Sequence, residues 1–218
     1  MNNIAEQNKK AYNYLAESYA NEWANNPDIE LADTFISFLP QNARILDVGC
    51  GPGQYSLYFN NHGFNIVGVD FSENMISLAK KLNDSIEFNV QDMHNLCFDN
   101  NYFDALWVCS SFVHIRTDEA LPVLSEFKRI LKDDGILFIN AIIGNLKYRL
   151  ESEEEIGGAY KGDGRYFQWY SNSMTFIKLL NTAGFVAEEI CRKAVTSQVV
   201  ENATLRTNQW VNYICKQT

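Results

Sequence analysis

The stretch ILDVGCGPGQYS, residues 45–56, constrains this chain more than any other. A short apolar strand over 44–48 runs straight into Gly49, Gly51 and Gly53, and a helical pattern follows at once. Glycines there permit a tight turn and let a ligand approach the backbone closely, while the next helix offers free N–H groups. A nucleotide-like molecule is the natural guest. About twenty residues further on, at the end of a second strand over 65–69, stands Asp70. In an open α/β sheet a carboxylate at that place faces the ribose of a nucleoside. These two features alone would suit an NAD-dependent dehydrogenase nearly as well as any other nucleoside-binding enzyme.

The rest of the chain supplies the sheet that such a loop needs. Further strand patterns fall at 86–89, 105–109 and 136–143, separated by helical patterns at 72–82 and 118–131. Strand and helix alternating in this way predict a doubly wound parallel sheet with right-handed crossovers. Before it, 4–23 reads as a helix broken at Asn26-Pro27, and 29–38 as a second helix stopped by Pro40. After it come a helix over 171–183, a stop at Gly184, and two closing strands at 185–190 and 209–215. Between 145 and 170 the pattern is irregular. That segment has an acidic cluster, Glu151, Glu153, Glu154 and Glu155, then glycines, then the aromatic run Tyr166, Phe167, Trp169 and Tyr170. An insertion of that kind reads as a lid or binding loop beside the carboxyl end of the sheet.

Composition narrows the partners. The 218 residues suit one α/β domain, and a formal net charge of -9 disfavours nucleic acid, whose phosphates call for clustered Lys and Arg. Cys50, Cys97, Cys109, Cys191 and Cys215 are odd in number and lack metal-ligand spacing, so the expectation is reduced thiols with no disulfide framework and no metal. The first residues lack the apolar core of a signal peptide, and no run approaches the ~18 apolar residues of a membrane span, so a cytoplasmic protein is expected.

Taken together the motifs resemble those of the class I S-adenosylmethionine-dependent methyltransferases, in register from about Tyr12 to Phe185. The glycine loop has that family's GxGxG spacing, where dinucleotide folds usually show GxGxxG. VGVDFSENMISLAK is similar to its second motif, FNVQDMHNLCF to its third, and FDALWVCSSFVHI followed by FKRILKDDGILFINA to its fourth and the strand beyond. The resemblance implies a Rossmann-like seven-stranded sheet, mostly parallel with an antiparallel C-terminal strand and helices on both faces. It implies a single domain over 1–218 with an N-terminal helical lid at about 1–40 and the insertion at about 145–170. It implies S-adenosylmethionine as cofactor, held by Gly49, Cys50, Gly51 and Gly53. Asp70 would hold the ribose, with Phe71 and Met75 near the adenosine, and Asp92 the adenine amino group beside Met93. Cys109 and Ser110 would touch the cofactor through their backbone. Tyr12 and Tyr19, seven apart on the first helix, resemble an aromatic lid, with core packing an equal reading.

The activity implied is methyl transfer to a small molecule that the sequence does not identify, by a monomer or homodimer with no membrane partner. A protein that binds the cofactor without turnover is the alternative, and a dehydrogenase a weaker one. The segment CSSFVHI lacks the Asn/Asp-Pro-Pro-aromatic signature of enzymes that methylate base amino groups. His114, just past the fourth strand, stands where a catalytic base would, and equally where a pocket-wall histidine would. Asp47, inside a buried strand, is expected to accept N–H bonds from the glycine loop. The segment GRYFQWYS could line an acceptor pocket, cage an amine or pack on the sheet edge, and Arg165 could pair with a substrate carboxylate or with the acidic cluster.

Overall fold

A computed structural model describes residues 4–24, 26–144, 156–160, 163–194 and 209–218. Two helices lead, α1 (Ile4–Trp23) and α2 (Ile29–Ile36), and then strand and helix alternate: β1 (Arg44–Val48), α3 (Gln54–Asn61), β2 (Asn65–Asp70), α4 (Glu73–Leu82), β3 (Glu87–Val90) and β4 (Phe103–Val108). A short 3₁₀ turn at Phe112–His114 precedes α5 (Thr117–Ile130), which runs directly into the long strand β5 (Leu131–Ile143). The hairpin β6 (Ile156–Tyr160) and β7 (Tyr166–Tyr170), α6 (Ser173–Thr182), β8 (Phe185–Ala194) and β9 (Gln209–Gln217) complete the chain.

Polar side chains start several helices where the sequence offers them. Asp28, Ser72 and Asn172 each accept the backbone N–H three residues on, each cap being worth about 1 kcal/mol. β1 to β4 are buried on alternate faces by alternate residues. Leu46, Val48, Leu106, Val108, Leu137 and Ile139 join Phe127 of α5 and Phe176 of α6 on one side. Ile45, Ala105, Trp107 and Phe138 join Phe35 of α2 and Phe59 of α3 on the other. Trp107 and Phe138 stack with ring centres 3.9 Å apart. A sheet with apolar side chains on both faces must be covered on both, which is why the strands read as continuous hydrophobic runs.

The strand order β3-β2-β1-β4-β5 is parallel throughout, and β9 then pairs antiparallel with β5 and with β8. This is the doubly wound, mostly parallel seven-stranded sheet with an antiparallel last strand that the sequence predicts. The order reverses between β1 and β4, and it is at such a switch point, outside the carboxyl ends of the strands, that open α/β sheets hold their ligands.

The hairpin brings the sheet to nine strands among the described residues: β6 was not expected, whereas β7 is the alternative in which GRYFQWYS packs as a strand on the sheet edge. β5 outruns β4. Its residues 136–139 pair with β4 on one edge and β9 on the other, and beyond the end of β4 the vacated edge at Ile142 and Ile143 is taken by Trp169 and Tyr170 of β7. Part of the segment expected to be irregular is therefore a hairpin standing above the end of β4. The acidic cluster Glu151, Glu153, Glu154 and Glu155 lies outside the described residues. No described helix is long and apolar enough to cross a membrane.

Candidate active site

At the switch point lies a cavity of about 400 Å³, roofed by α1. Its floor begins at the glycine loop, where Gly49 and Cys50 donate their N–H groups to the Val69 carbonyl at 2.8 and 2.9 Å, tying the loop to β2. The three glycines have φ of +73°, +54° and +86°, but they serve different ends. A Cβ on Gly49 would sit 2.3 Å from that of Ser111, and one on Gly53 would sit 2.8 Å from the Phe88 ring. Only at Gly51 is there room, the nearest atom being in the Tyr19 ring at 3.8 Å. Gly49 and Gly51 line the cavity, whereas Gly53 lies behind its wall, packed on Phe88.

Asp70, at the end of β2, is fixed by backbone. Its Oδ2 accepts the Gly51 N–H and its Oδ1 the Ser72 N–H, both at 2.9 Å. Each oxygen keeps a lone pair for a further donor. Burial pushes its carboxyl up to about 6, against the opposing pull of those N–H groups. Asp47 departs from expectation: the loop N–H groups go to Val69 and Asp70, and Asp47 accepts instead the Ser56 hydroxyl at 2.7 Å. Burial lifts it to about 7, and it lines the cavity.

The remaining wall comes from the ends of β3 and β4. Phe71 and Met75 follow Asp70, and Met93 accompanies Asp92. Asp92 Oδ1 accepts the His94 N–H at 3.0 Å and bonds His94 Nδ1 at 2.6 Å, which holds the carboxyl below its ordinary value and raises the imidazole. Cys109 and Ser110 follow β4 directly, the latter at φ +57° with its N–H donated to Asn140 Oδ1 at 2.8 Å. Burial raises the Cys109 thiol to about 12, so it stands as a neutral thiol.

Helix α1 closes the cavity with one stripe of residues. Tyr12 and Tyr19 both line it, their ring centres 6.0 Å apart, and Tyr12 meets Phe71 at 6.1 Å. The Tyr12 hydroxyl bonds His114 Nε2 at 2.7 Å, and His114 Nδ1 bonds the Tyr166 carbonyl at 2.7 Å. A carbonyl can only accept, so Nδ1 carries the proton and Nε2 accepts from Tyr12. Burial holds the imidazole down to about 4, hence neutral. The helix is pinned to α4 as well. Asn13 Oδ1 accepts from the Ser72 hydroxyl at 2.6 Å and the Asn74 N–H at 3.2 Å, and Lys9 pairs with Glu73.

The cavity thus gathers Tyr19, Gly49, Cys50, Gly51, Asp70, Phe71, Met75, Asp92, Met93, Cys109, Ser110 and His114, the set singled out from sequence save Gly53. It adds residues that sequence reading missed: Asn8, Gln54, Tyr55, His94, Glu119 and Trp210. Asn8 had a signal, since it falls four residues before Tyr12 on the same helical face. Arg165 is bound to Asp163, at 2.6 and 3.0 Å, and the acidic cluster that was its other candidate partner lies outside the described residues.

Comparison with known proteins agrees with this geometry. Residues 46–139 match the family model of the methyltransferase domain. The YqeM protein of Bacillus subtilis is 31% identical over 134 residues, 59% of this chain and 54% of that protein. The malonyl-acyl-carrier-protein O-methyltransferase of Buchnera aphidicola is also 31% identical over 134 residues, 62% of this chain and 51% of the relative. The chain spans about half the length of these curated relatives. Among solved structures, the Burkholderia thailandensis 1,6-didemethyltoxoflavin-N1-methyltransferase, with 1,6-didemethyltoxoflavin and S-adenosylhomocysteine bound, superposes with a TM-score of 0.72 at 17% identity, over 98% of this chain and 88% of that one. At that identity the likeness speaks for the fold alone. The strand order and the match of residues 46–139 to the methyltransferase-domain model agree with the resemblance of the five motifs to those of class I S-adenosylmethionine-dependent methyltransferases.

Proposed function

We propose that this protein transfers a methyl group from S-adenosylmethionine to a small-molecule acceptor. The observation that carries the reading is Asp70, a buried carboxylate held by two backbone N–H groups at the cavity wall, with spare lone pairs suited to a ribose diol. When bound, the cofactor supplies a methyl group on a positively charged sulfur, activated for in-line displacement.

The polar groups that the cavity leaves unpaired fit such a guest. Gln54 Oε1 is buried with no partner among the described residues and is an acceptor for the ammonium of the methionine part. Gly51 would give that part backbone clearance, Asp92 would receive the adenine amino group, and Phe71, Met75 and Met93 would flank the base. Cys109 and Ser110 would contribute backbone. The chain's own work is positioning. Holding two reactants in a near-attack arrangement can lower a barrier by about 7–11 kcal/mol, enough to make a strong base unnecessary. His114 is then a positioning residue: with Nδ1 on Tyr166 and Nε2 on Tyr12 it latches α1 over the cavity, and direct base catalysis would first require Tyr12 to let go.

On this reading the chain works as one domain in which α1 alone forms the cover, α2 of the expected 1–40 lid packing on the sheet through Phe35, and Arg165 and Phe167 form the acceptor wall. Titration calorimetry with S-adenosylmethionine, S-adenosylhomocysteine and NADH tests it, followed by methyl transfer to a panel of small acceptors. Selective binding of the first two is the expected result. Binding of NADH alone would move the chain to dehydrogenase chemistry, and cofactor binding with no transfer to any acceptor would favour a binding protein.

A further inference from the structure

Three observations meet at the end of the cavity away from the glycine loop. Asn8 is 1% exposed, its Oδ1 accepts the Tyr166 N–H at 2.7 Å, and its Nδ2 has no partner among the described residues. The Tyr166 N–H decides which way the amide lies, so what Asn8 has left to offer the cavity is a donor. Arg165 stands beside it, its guanidinium 5.4 Å from the Tyr12 ring centre and 5.6 Å from that of Phe167, while its partner Asp163 is not part of the cavity wall. The acceptors nearby are engaged: the Tyr166 carbonyl takes the His114 Nδ1 proton, and His114 Nε2 takes that of Tyr12.

This corner therefore presents the Asn8 amide donor and a guanidinium that is already paired with Asp163. The faces of Tyr12 and Phe167, which could have caged a ligand's ammonium, already hold the protein's own cation, and a second would be repelled. A carboxylate has the opposite character. It accepts only, and a planar guanidinium matches its two oxygens.

Building on the methyl-transfer reading, we infer that the acceptor bears a carboxylate, which Asn8 Nδ2 and Arg165 receive. Neither residue belongs to the cofactor's part of the cavity, so they set which molecule is methylated and leave cofactor affinity alone. Asn8→Asp is the sharpest probe, because the new side chain can still accept the Tyr166 N–H while replacing the free donor with an acceptor. Arg165→Gln is a second probe at a different position.

The experiment titrates 1-naphthoate, 1-naphthamide and 1-naphthylmethylamine into protein saturated with S-adenosylhomocysteine, in the unaltered chain and in both variants. The carboxylate should bind tightest and the amine at least about tenfold more weakly. Each variant should weaken naphthoate by about fivefold or more while S-adenosylhomocysteine affinity stays within about twofold. Preference for the amine, no binding of naphthoate, or naphthoate affinity indifferent to both substitutions would overturn the inference with the methyl-transfer reading intact. Failure of the unaltered chain to bind S-adenosylhomocysteine would remove that reading itself, and is seen before any naphthalene is added.

Discussion

The two ends of the cavity are built in different ways. The end proposed for the cofactor is made of backbone: the glycine loop hangs from Val69, and Asp70 is clasped by the N–H groups of Gly51 and Ser72, all within residues 49–72. The end proposed for the acceptor is made of side chains delivered from four separate segments, α1, the 3₁₀ turn, β7 and β9, which meet only in the folded chain. A site held by backbone changes little when a side chain changes, because its geometry belongs to the sheet. A site assembled from distant side chains can be rebuilt one residue at a time. That difference is how one fold serves many acceptors with one cofactor.

Four measurements would break or sharpen this contrast. The largest effect is expected for Gly49→Ala, where a Cβ would meet that of Ser111 at 2.3 Å in a left-handed backbone. Overpacking and the φ penalty together should destabilise the fold by about 3 kcal/mol in chemical denaturation, whereas Gly51→Ala should lower stability far less and cofactor affinity more. Next is Asp70→Asn, which keeps one acceptor for the backbone but loses the charge. S-adenosylhomocysteine should bind roughly thirtyfold more weakly, about 2 kcal/mol, by calorimetry. Near-normal affinity would detach Asp70 from the cofactor.

A pH effect of about tenfold comes third. Asp70 titrates at about 6, so it is ionised at pH 7.5 and largely protonated at pH 5, where one acceptor is lost. Affinity should therefore fall by about 1.4 kcal/mol as the pH drops over that interval. Asp47, lifted to about 7, shares the cavity and titrates over the same interval. The part due to Asp70 is what disappears in Asp70→Asn. An equal pH dependence in that variant would assign the titration elsewhere. The smallest effect is expected for Tyr12→Phe, which removes the bond to His114. It should cost about 1 kcal/mol of stability and speed release of bound S-adenosylhomocysteine several-fold in stopped flow.

The same contrast explains what could be read from sequence. Glycine spacing, Asp70 and Asp92 at or near strand ends, and alternating β and α patterns are local, so the parallel sheet and the residues that gather at one end of the cavity were legible in the sequence. β7 was legible as an edge strand but its place was not, because its pairing partner is the overhang of β5, a consequence of one strand being longer than its neighbour. Asp47 was assigned the wrong donors for a similar reason. Periodicity says that it is buried, but only the folded loop shows its N–H groups turned toward Val69 and Asp70, leaving the Ser56 hydroxyl nine residues on. Asn8 shows only its helical spacing from Tyr12, and Arg165 could be singled out with its partner left open, since what makes both notable is what each faces.

One polar chain joins the two ends. Asp70 takes the Ser72 N–H, the Ser72 hydroxyl is donated to Asn13, and Asn13 sits on α1 one turn beyond Lys9 and next to Tyr12. Whatever fixes Asp70 also steadies the helix that bears Asn8 and Tyr12. Turnover should therefore follow a compulsory order, with the nucleoside seated before the molecule to be modified, and initial-rate patterns against the demethylated product would display that sequence.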